Sequence, residues 1–374
     1  SSDANLTATI SMTLPTKYIS GADIESGTKI TVIAKGAEDV SAEGTPGETL
    51  TVTVPTAQGD NYISVVAEIN GATGRGNEVS VFTGMEMLSF VENLNSEISE
   101  DNMSVHLTWS APKETLNGGY FSTTGIRYNI GLIYNDGEFI DEPIRTEPDV
   151  TEYTLVCPAA TQQQFCRIAV VAENAAGVSK AISYVTQIVG TPYQLPIVEE
   201  FENLEVKYNP LTASSPSEIY RNGAWTMGQP ELVNPDFTGN KSTYAIVGYT
   251  DEASAKVRMR LPKVSTKSLT EAYATFEVWT GHHCADPMEI YAITYGMDTP
   301  EKIATLPLGN GWQFITVAIP AKYLDRPWMN LYIDGSLNSP DHYLIMASYS
   351  IEKTTGIDNV AEITGSINAD DGTV

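Results

Sequence analysis

The sequence predicts an all-β chain: two small antiparallel β-sandwiches followed by a larger jelly-roll β-sandwich. Three observations carry this. The composition suits strands, with only 18% charged residues and an abundance of Thr, Ser, Val, Ile and Tyr. Branched and aromatic side chains fit a pleated, half-buried surface, and 29 Gly and 20 Pro supply the turns that many short strands need. Apolar and polar residues alternate through short runs bounded by turn residues. One pattern also occurs twice. Thr7–Pro15 and Val105–Pro112 are alternating strands ending in proline, and Trp109 takes the slot that Met12 holds in the first. Each is followed by a loop, another alternating strand, and later a strand ending in Asn and Gly.

The first module spans residues 1–84. Its expected strands are 6–15, Lys29–Lys35, Glu48–Val54, Tyr62–Asn70 and Asn77–Phe82, with Leu50, Val52 and Val54 facing inward. The chain is in strand pattern almost from Ser1, with little room for a preceding strand, which leads us to expect a processed or trimmed N-terminus. The second module spans 85–190, with strands at Val105–Trp109, Arg127–Tyr134, Thr151–Val156, Phe165–Glu173 and Ala181–Ile188. Asn135-Asp136-Gly137 reads as a tight hairpin turn, Asp-Gly supplying the positive φ angles.

Gly190-Thr-Pro-Tyr-Gln-Leu-Pro196 is a short, stiff linker with two prolines. The third domain spans 191–355, and beyond the linker residues 197–355 are richer in Trp, Tyr and Met. Strands are expected at Thr243–Tyr249, Ala255–Leu261, Ala272–Thr280, Glu289–Tyr295, Trp312–Ile319, Met329–Asp334 and Tyr343–Glu352. So many strands in one domain of this length suggest a jelly roll. Residues 356–374 are rich in Gly, Asp, Asn and Ser and read as a linker or frayed terminus.

The formal net charge is −26 and the pI about 4.4. Such a field repels phosphate backbones and anionic lipid, which argues against nucleic-acid and membrane-surface partners. No apolar run approaches the roughly 18 residues of a membrane-spanning helix. The carboxylates suit a solvated extracellular surface and hard cations such as calcium.

Catalysis is not expected. A glycosidase on a jelly roll needs two carboxylates facing across a cleft, but Ala274–Thr280 carries only Glu277 and Met288–Ala292 only Glu289. No Gly-x-Ser-x-Gly elbow and no His-Glu-x-x-His occurs, and four histidines leave little acid–base machinery near neutral pH. Gly281-His-His-Cys-Ala-Asp286 holds zinc-competent side chains. Adjacent ligands on extended chain point to opposite sides, so the segment reads as a loop closing a hairpin.

Two strands carry the pattern a sugar requires: aromatic faces for C–H groups and planar polar groups for hydroxyls. In one, Tyr273, Glu277 and Trp279 share a face while Ala274, Phe276 and Val278 take the other. In the second, Trp328, Asn330, Tyr332 and Asp334 share a face opposite Met329, Leu331 and Ile333. The competing reading is that these aromatics cover an ordinary sandwich core. Trp225 and Trp312 are assigned to that core. Cys157 and Cys166 both fall on the inward face of strands joined by one connection. A disulfide and two buried free thiols are both open to them.

Leu107-Thr-Trp-Ser-Ala-Pro112 and Cys166-Arg-Ile-Ala-Val-Val-Ala-Glu-Asn-Ala-Ala-Gly177 together resemble a fibronectin type III domain. Such domains pair a core Trp with a Tyr-x-x-x-Val-x-Ala-x-Asn-x-x-Gly strand. Tyr62, Val66, Asn70 and Gly74 fit that pattern in the first module, which lacks the Trp. In the second, Cys166 stands in the tyrosine slot, where a link to Cys157 would take over the role of the tyrosine corner. Leu195-Pro-Ile-Val-Glu-Glu-Phe-Glu-Asn203 resembles the start of jelly rolls of the cleaved-adhesin, MAM and concanavalin-like group. This order of domains resembles secreted surface proteins of gram-negative gut anaerobes, and the tail resembles the linker before a C-terminal sorting segment. The resemblance implies a non-catalytic adhesion or carbohydrate-binding protein, secreted or on the bacterial surface, whose partner is a glycan or a cell-surface protein. A structural or assembly component, or an accessory module of a polysaccharide-degrading system, is the alternative. It also implies a structural calcium near Glu202 and Asn203, although the final strand, Leu344–Ser350, lacks the Asp that usually completes such a site.

Overall fold

The computed structural model describes residues 6–157, 163–201, 207–208, 223–228, 245–250 and 255–353. It is all-β, and its described sheets fall within three successive stretches of chain.

In the first, β1 (Thr7–Thr13), β2 (Ile30–Lys35), β3 (Val40–Gly44), β4 (Thr49–Pro55), β5 (Gly59–Ile69), β6 (Ala72–Thr73) and β7 (Asn77–Thr83) form two sheets. β1 pairs antiparallel with β4. The other sheet runs β3-β2-β5, and β5 also pairs with β6 and β7. Period-2 alternation decides what lies between them: Ala8, Val52 and Val54 from one sheet meet Ala34 and Ile63 from the other. β3 was not expected, because Val-Ser-Ala-Glu-Gly lacks the apolar alternation of a half-buried strand.

The second stretch holds β8 (Glu92–Ile98), β9 (Ser104–Ser110), β10 (Arg127–Leu132), β11 (Ile144–Arg145), β12 (Glu152–Val156), β13 (Gln164–Asn174), β14 (Gly177–Val178) and β15 (Ser183–Val189). One sheet is β12-β9-β8, and the other is β11-β10-β13 with β14 and β15 also on β13. Trp109 is buried edge-on against Tyr128, ring centroids 5.0 Å apart. The expected hairpin is present: Gly137 has φ 92°, its N–H donates to the Tyr134 carbonyl, and the Asp136 side chain accepts from the Glu138 N–H. β8 escaped notice because Glu-Asn-Leu-Asn-Ser-Glu-Ile is mostly polar.

Cys157 and Cys166 are both buried free thiols, so of the two readings the structure holds the one without a bridge. Burial raises the pKa of both thiols, that of Cys166 to about 12. Cys284, also buried, is raised by burial and by the nearby Asp286. Since the thiolate is the reactive form, iodoacetamide at pH 8 should label none of the three in the folded protein. All three should react after unfolding without reductant; a shortfall of two under those conditions would restore the bridge.

The third stretch comprises β16 (Tyr193–Gln194), β17 (Ile197–Glu199), β18 (Gly223–Gly228), β19 (Ala245–Thr250), β20 (Ala255–Arg260), β21 (Val264–Ser265), β22 (Tyr273–Trp279), β23 (Met288–Thr294), β24 (Glu301–Leu306), β25 (Trp312–Ala318), β26 (Met329–Leu337) and β27 (Leu344–Glu352). One sheet runs β18-β19-β27-β22-β25, with β17 also on β27. The opposing sheet runs β16-β21-β26-β23-β24, with β20 also on β26. Phe276 and Val278 of β22, Met346 and Tyr349 of β27, Ile290 of β23 and Leu331 and Ile333 of β26 share one core. β22 and β23 lie in different sheets, so residues 281–287 cross the sandwich and do not close a hairpin as the sequence suggested. The cause is amphipathic: each strand buries its apolar face against the same core, from opposite sides.

The chain divides into two compact units, one of Ser1–Ser96, His106–Thr154 and Arg167–Val185, the other of Glu97–Val105, Leu155–Cys166 and Thr186–Val374. The second unit is tied together by a buried polar clamp. Gln163 grips the backbone of Lys263, accepting from its N–H at 2.8 Å and donating to its carbonyl at 2.6 Å. The Lys263 side chain, 1% exposed, donates to Asn102 Oδ1 at 2.6 Å and lies 4.0 Å above the Trp328 ring. Asn102 in turn donates to the Gly190 carbonyl, and Trp328 Nε1 to that of Ser99. Among the described residues, no helix is long and apolar enough to cross a membrane.

Candidate functional site

Alternation places the expected side chains on the outer surfaces of the third sandwich, as the sequence required, but on opposite ones. Tyr273, Glu277 and Trp279 belong to the sheet of β22. Trp328, Asn330, Tyr332 and Asp334 belong to the sheet of β26 or its approach. They do not form one surface.

The outer face of β26 is self-satisfied. Arg258 grips Asp334 with two bonds of 2.6 and 2.7 Å, and its guanidinium lies 4.9 Å from the Tyr332 centroid and 5.7 Å from that of Tyr291. Arg260 lies 5.1 Å from Tyr332 and donates to Asn330 Oδ1. Lys302 and the Tyr291 hydroxyl both donate to Glu289, and these bonds hold its carboxyl below the usual range. The Tyr332 ring is thus occupied by cations. Trp328 is 3% exposed, packed against Lys263, and Asn330 is fully buried. Neither is a surface platform, contrary to expectation. The outward direction was legible from period 2, but the buried clamp and the arginines that cover the strand were not. The available signal was Lys256, Arg258 and Arg260 at alternate positions of β20.

The outer face of β22 is different. Here β22 lies between β25 and β27, with Glu277 opposite Phe314 and Ser348, and Thr275 opposite Thr316 and Ser350. Phe314 is 56% exposed. The Thr275 and Thr316 hydroxyls are 3.0 Å apart, and Tyr273 stands half-buried at the end of the row. Glu277 is 4% exposed and accepts from the Ser348 hydroxyl at 3.1 Å, so it positions that hydroxyl and does not itself present a carboxylate. Trp279 is buried too, edge-on to Trp312 at 5.7 Å, with Nε1 donating to the His282 carbonyl. Trp312 is half-buried in this small outer cluster with Trp279, Cys284, Ile345 and Ala347, not in the core between the sheets where the sequence placed it. The sequence reading missed Phe314, Thr316 and Ser348. Trp312-Gln-Phe-Ile-Thr-Val-Ala318 alternates just as β22 does, and that was the signal.

The candidate calcium residues Glu202 and Asn203, and the side chain of Trp225, lie outside the described residues. Among the described residues no group of three His, Cys, Asp or Glu side chains is placed to hold a metal ion. Around the zinc-competent loop, the His282 and His283 rings stack 3.7 Å apart, while Cys284 turns into the apolar cluster.

No known family profile matches the chain, and no curated protein does. Solved structures do. The chain is similar to the FN1–FN3 domains of chicken CNTN1, at 11% identity and a TM-score of 0.24 over 51% of this chain, and it spans 65% of the length of that structure. It is similar to the K1 cleaved adhesin domain of Lys-gingipain from Porphyromonas gingivalis W83, at 14% identity and a TM-score of 0.28, covering 42% of this chain and 98% of that one. It is also similar to carbohydrate-binding modules of the β-sandwich superfamily, at 11% identity and a TM-score of 0.25, covering 71% and 97%. The β-sandwich architecture itself rests on the sheets described above.

Proposed function

We propose that this chain is a non-catalytic glycan-binding or adhesion protein, secreted or displayed on a bacterial surface. The third sandwich would present the ligand face, with the two preceding sandwiches as spacer. The observation that carries this reading is the outer face of β22 and β25. It sets Tyr273, Phe314 and Trp312 around the hydroxyls of Thr275, Thr316 and Ser348 on one face of one sheet. Aromatic rings accept the C–H side of a sugar, and hydroxyls fixed by a sheet exchange hydrogen bonds with its substituents. The exposure of Phe314 favours this role, because an apolar ring of that size gains from being covered.

The test is a glycan array probed with the full chain and with Phe314→Ala and Tyr273→Ala. Each ring removed should weaken binding at least tenfold, about 1.4 kcal/mol. Equal signals from both variants and the parent would remove the face from consideration.

A further inference from the structure

A groove of about 500 Å³ in the second unit is absorbed by none of the features above. The turn between β8 and β9 contributes Glu100 and Asp101 to its lining, and Ser265, Lys267, Gln194 and Pro327 are also among the lining residues. We infer that this groove is a second glycan subsite that takes a neutral, hydroxyl-rich oligosaccharide segment. This rests on the glycan-binding reading and adds a location to it.

Three observations point to that ligand. The lining offers carboxylate acceptors, an ammonium donor, an amide and hydroxyls. Neighbouring sugar hydroxyls, each both donor and acceptor, match such a mixture. The apolar part of the lining, Pro192 and Pro327 with the side-chain stems, is interrupted by these polar groups and suits the C–H faces of a sugar ring. An anionic one would meet two carboxylates against one lysine, in a chain of net charge −26.

The walls are also preorganised. Asp101 Oδ1 accepts from the Ser99 hydroxyl at 2.5 Å and from the Met103 N–H at 3.0 Å. The Ser99 bond, then that of Met103, holds the Asp101 carboxyl below its usual range, so it remains an ionised acceptor. Both of these bonds fall on Oδ1. Asn102, the next residue, accepts from the buried Lys263 Nζ, and Trp328, next to Pro327, donates to the Ser99 carbonyl. The clamp therefore ties the β8–β9 turn to the segments that carry Ser265 and Pro327. A ligand meets a formed cleft and forfeits little ordering entropy on binding.

The experiment is calorimetric titration of the full chain with cello-, xylo-, manno- and laminari-hexaose, and with a lysine hexapeptide. Lys267→Ala and Asp101→Asn serve as groove variants and Phe314→Ala as the face control. Lys267 is a suitable probe because its side chain is exposed and has no place in the clamp. At least one hexaose should bind, with affinity reduced five-fold or more in each groove variant and retained in Phe314→Ala. Loss in Phe314→Ala with both groove variants unchanged would overturn the groove and leave the glycan reading standing. Binding of the lysine peptide alone, sensitive to Asp101→Asn, would overturn the ligand class. No binding of any hexaose by the parent would overturn the subsite and count against the glycan reading as well.

Discussion

Lys263→Ala should lower the melting temperature of the second unit by roughly 10 °C, a loss of about 3–5 kcal/mol. Two costs combine. The aliphatic stem fills space beside Trp328, and its removal leaves a cavity. Asn102 Oδ1, in a fully buried residue, loses its donor and keeps its desolvation penalty. Lys263→Met separates the two costs, because it restores the volume without the hydrogen bond. We expect it to recover more than half of the loss, since a buried charge is itself expensive to desolvate. Calorimetry of all three proteins tests this; a Met variant as unstable as the Ala variant would assign the whole effect to the hydrogen bond. The pH dependence has a definite sign. Burial, and then the Arg260 charge, depress the Lys263 pKa well below its ordinary 10.5, overriding the Trp328 ring and the Asn102 oxygen, which favour the ammonium. From that depressed value up to 10.5 the unfolded chain binds more protons at this site than the folded one. The stability that Lys263 contributes therefore rises with pH across that window. The difference between parent and Lys263→Met should move toward the parent as pH is raised. A difference that does not change with pH would show an unperturbed lysine.

Glu199→Ala should cost about 3 kcal/mol. This carboxylate, buried at the end of β17, accepts from the backbone N–H groups of Phe201 at 3.1 Å, Lys207 at 2.7 Å and Tyr208 at 3.0 Å. One side chain thus fixes both ends of the Phe201–Tyr208 stretch, and Phe201 belongs to the core. Glu199→Gln keeps one acceptor oxygen and should lose about half as much. Denaturant midpoints measure both. A stable Ala variant would mean that those N–H groups find other acceptors.

The sequence disclosed the fold well where one physical rule dominates. Period-2 alternation located β1, β9, β13, β22, β26 and β27, and along β22 and β26 it told inward from outward. It failed where a strand is held by neighbours more than by its own pattern, as in the polar β3 and β8 or the two-residue β16. The candidate sites were half-legible for the same reason. Alternation sent Tyr273 and Trp328 outward, but which sheet a strand joins depends on long-range pairing. Whether an outward residue is exposed depends on what else lies over that surface. Trp328 and Asn330 point out of the core and are buried all the same, and no local pattern announces a lysine meeting an asparagine 161 positions away.

The pairing of β27 bears on the order in which this protein becomes structured. The last strand described, Leu344–Glu352, is the middle of its sheet: it joins β17, β19 and β22, whose residues precede it by as many as about 150 positions. During synthesis every other strand of that sheet leaves the ribosome before the one that unites them. The sheet that β27 unites therefore closes only after residue 352 has emerged, and until then it exists as the separate pairs β18–β19 and β22–β25, whereas the opposing sheet has its partners by Leu337 and the first module by residue 83. A chain cut short before Leu344 would keep one sheet whole and leave the other in two pieces, with the core between them uncovered.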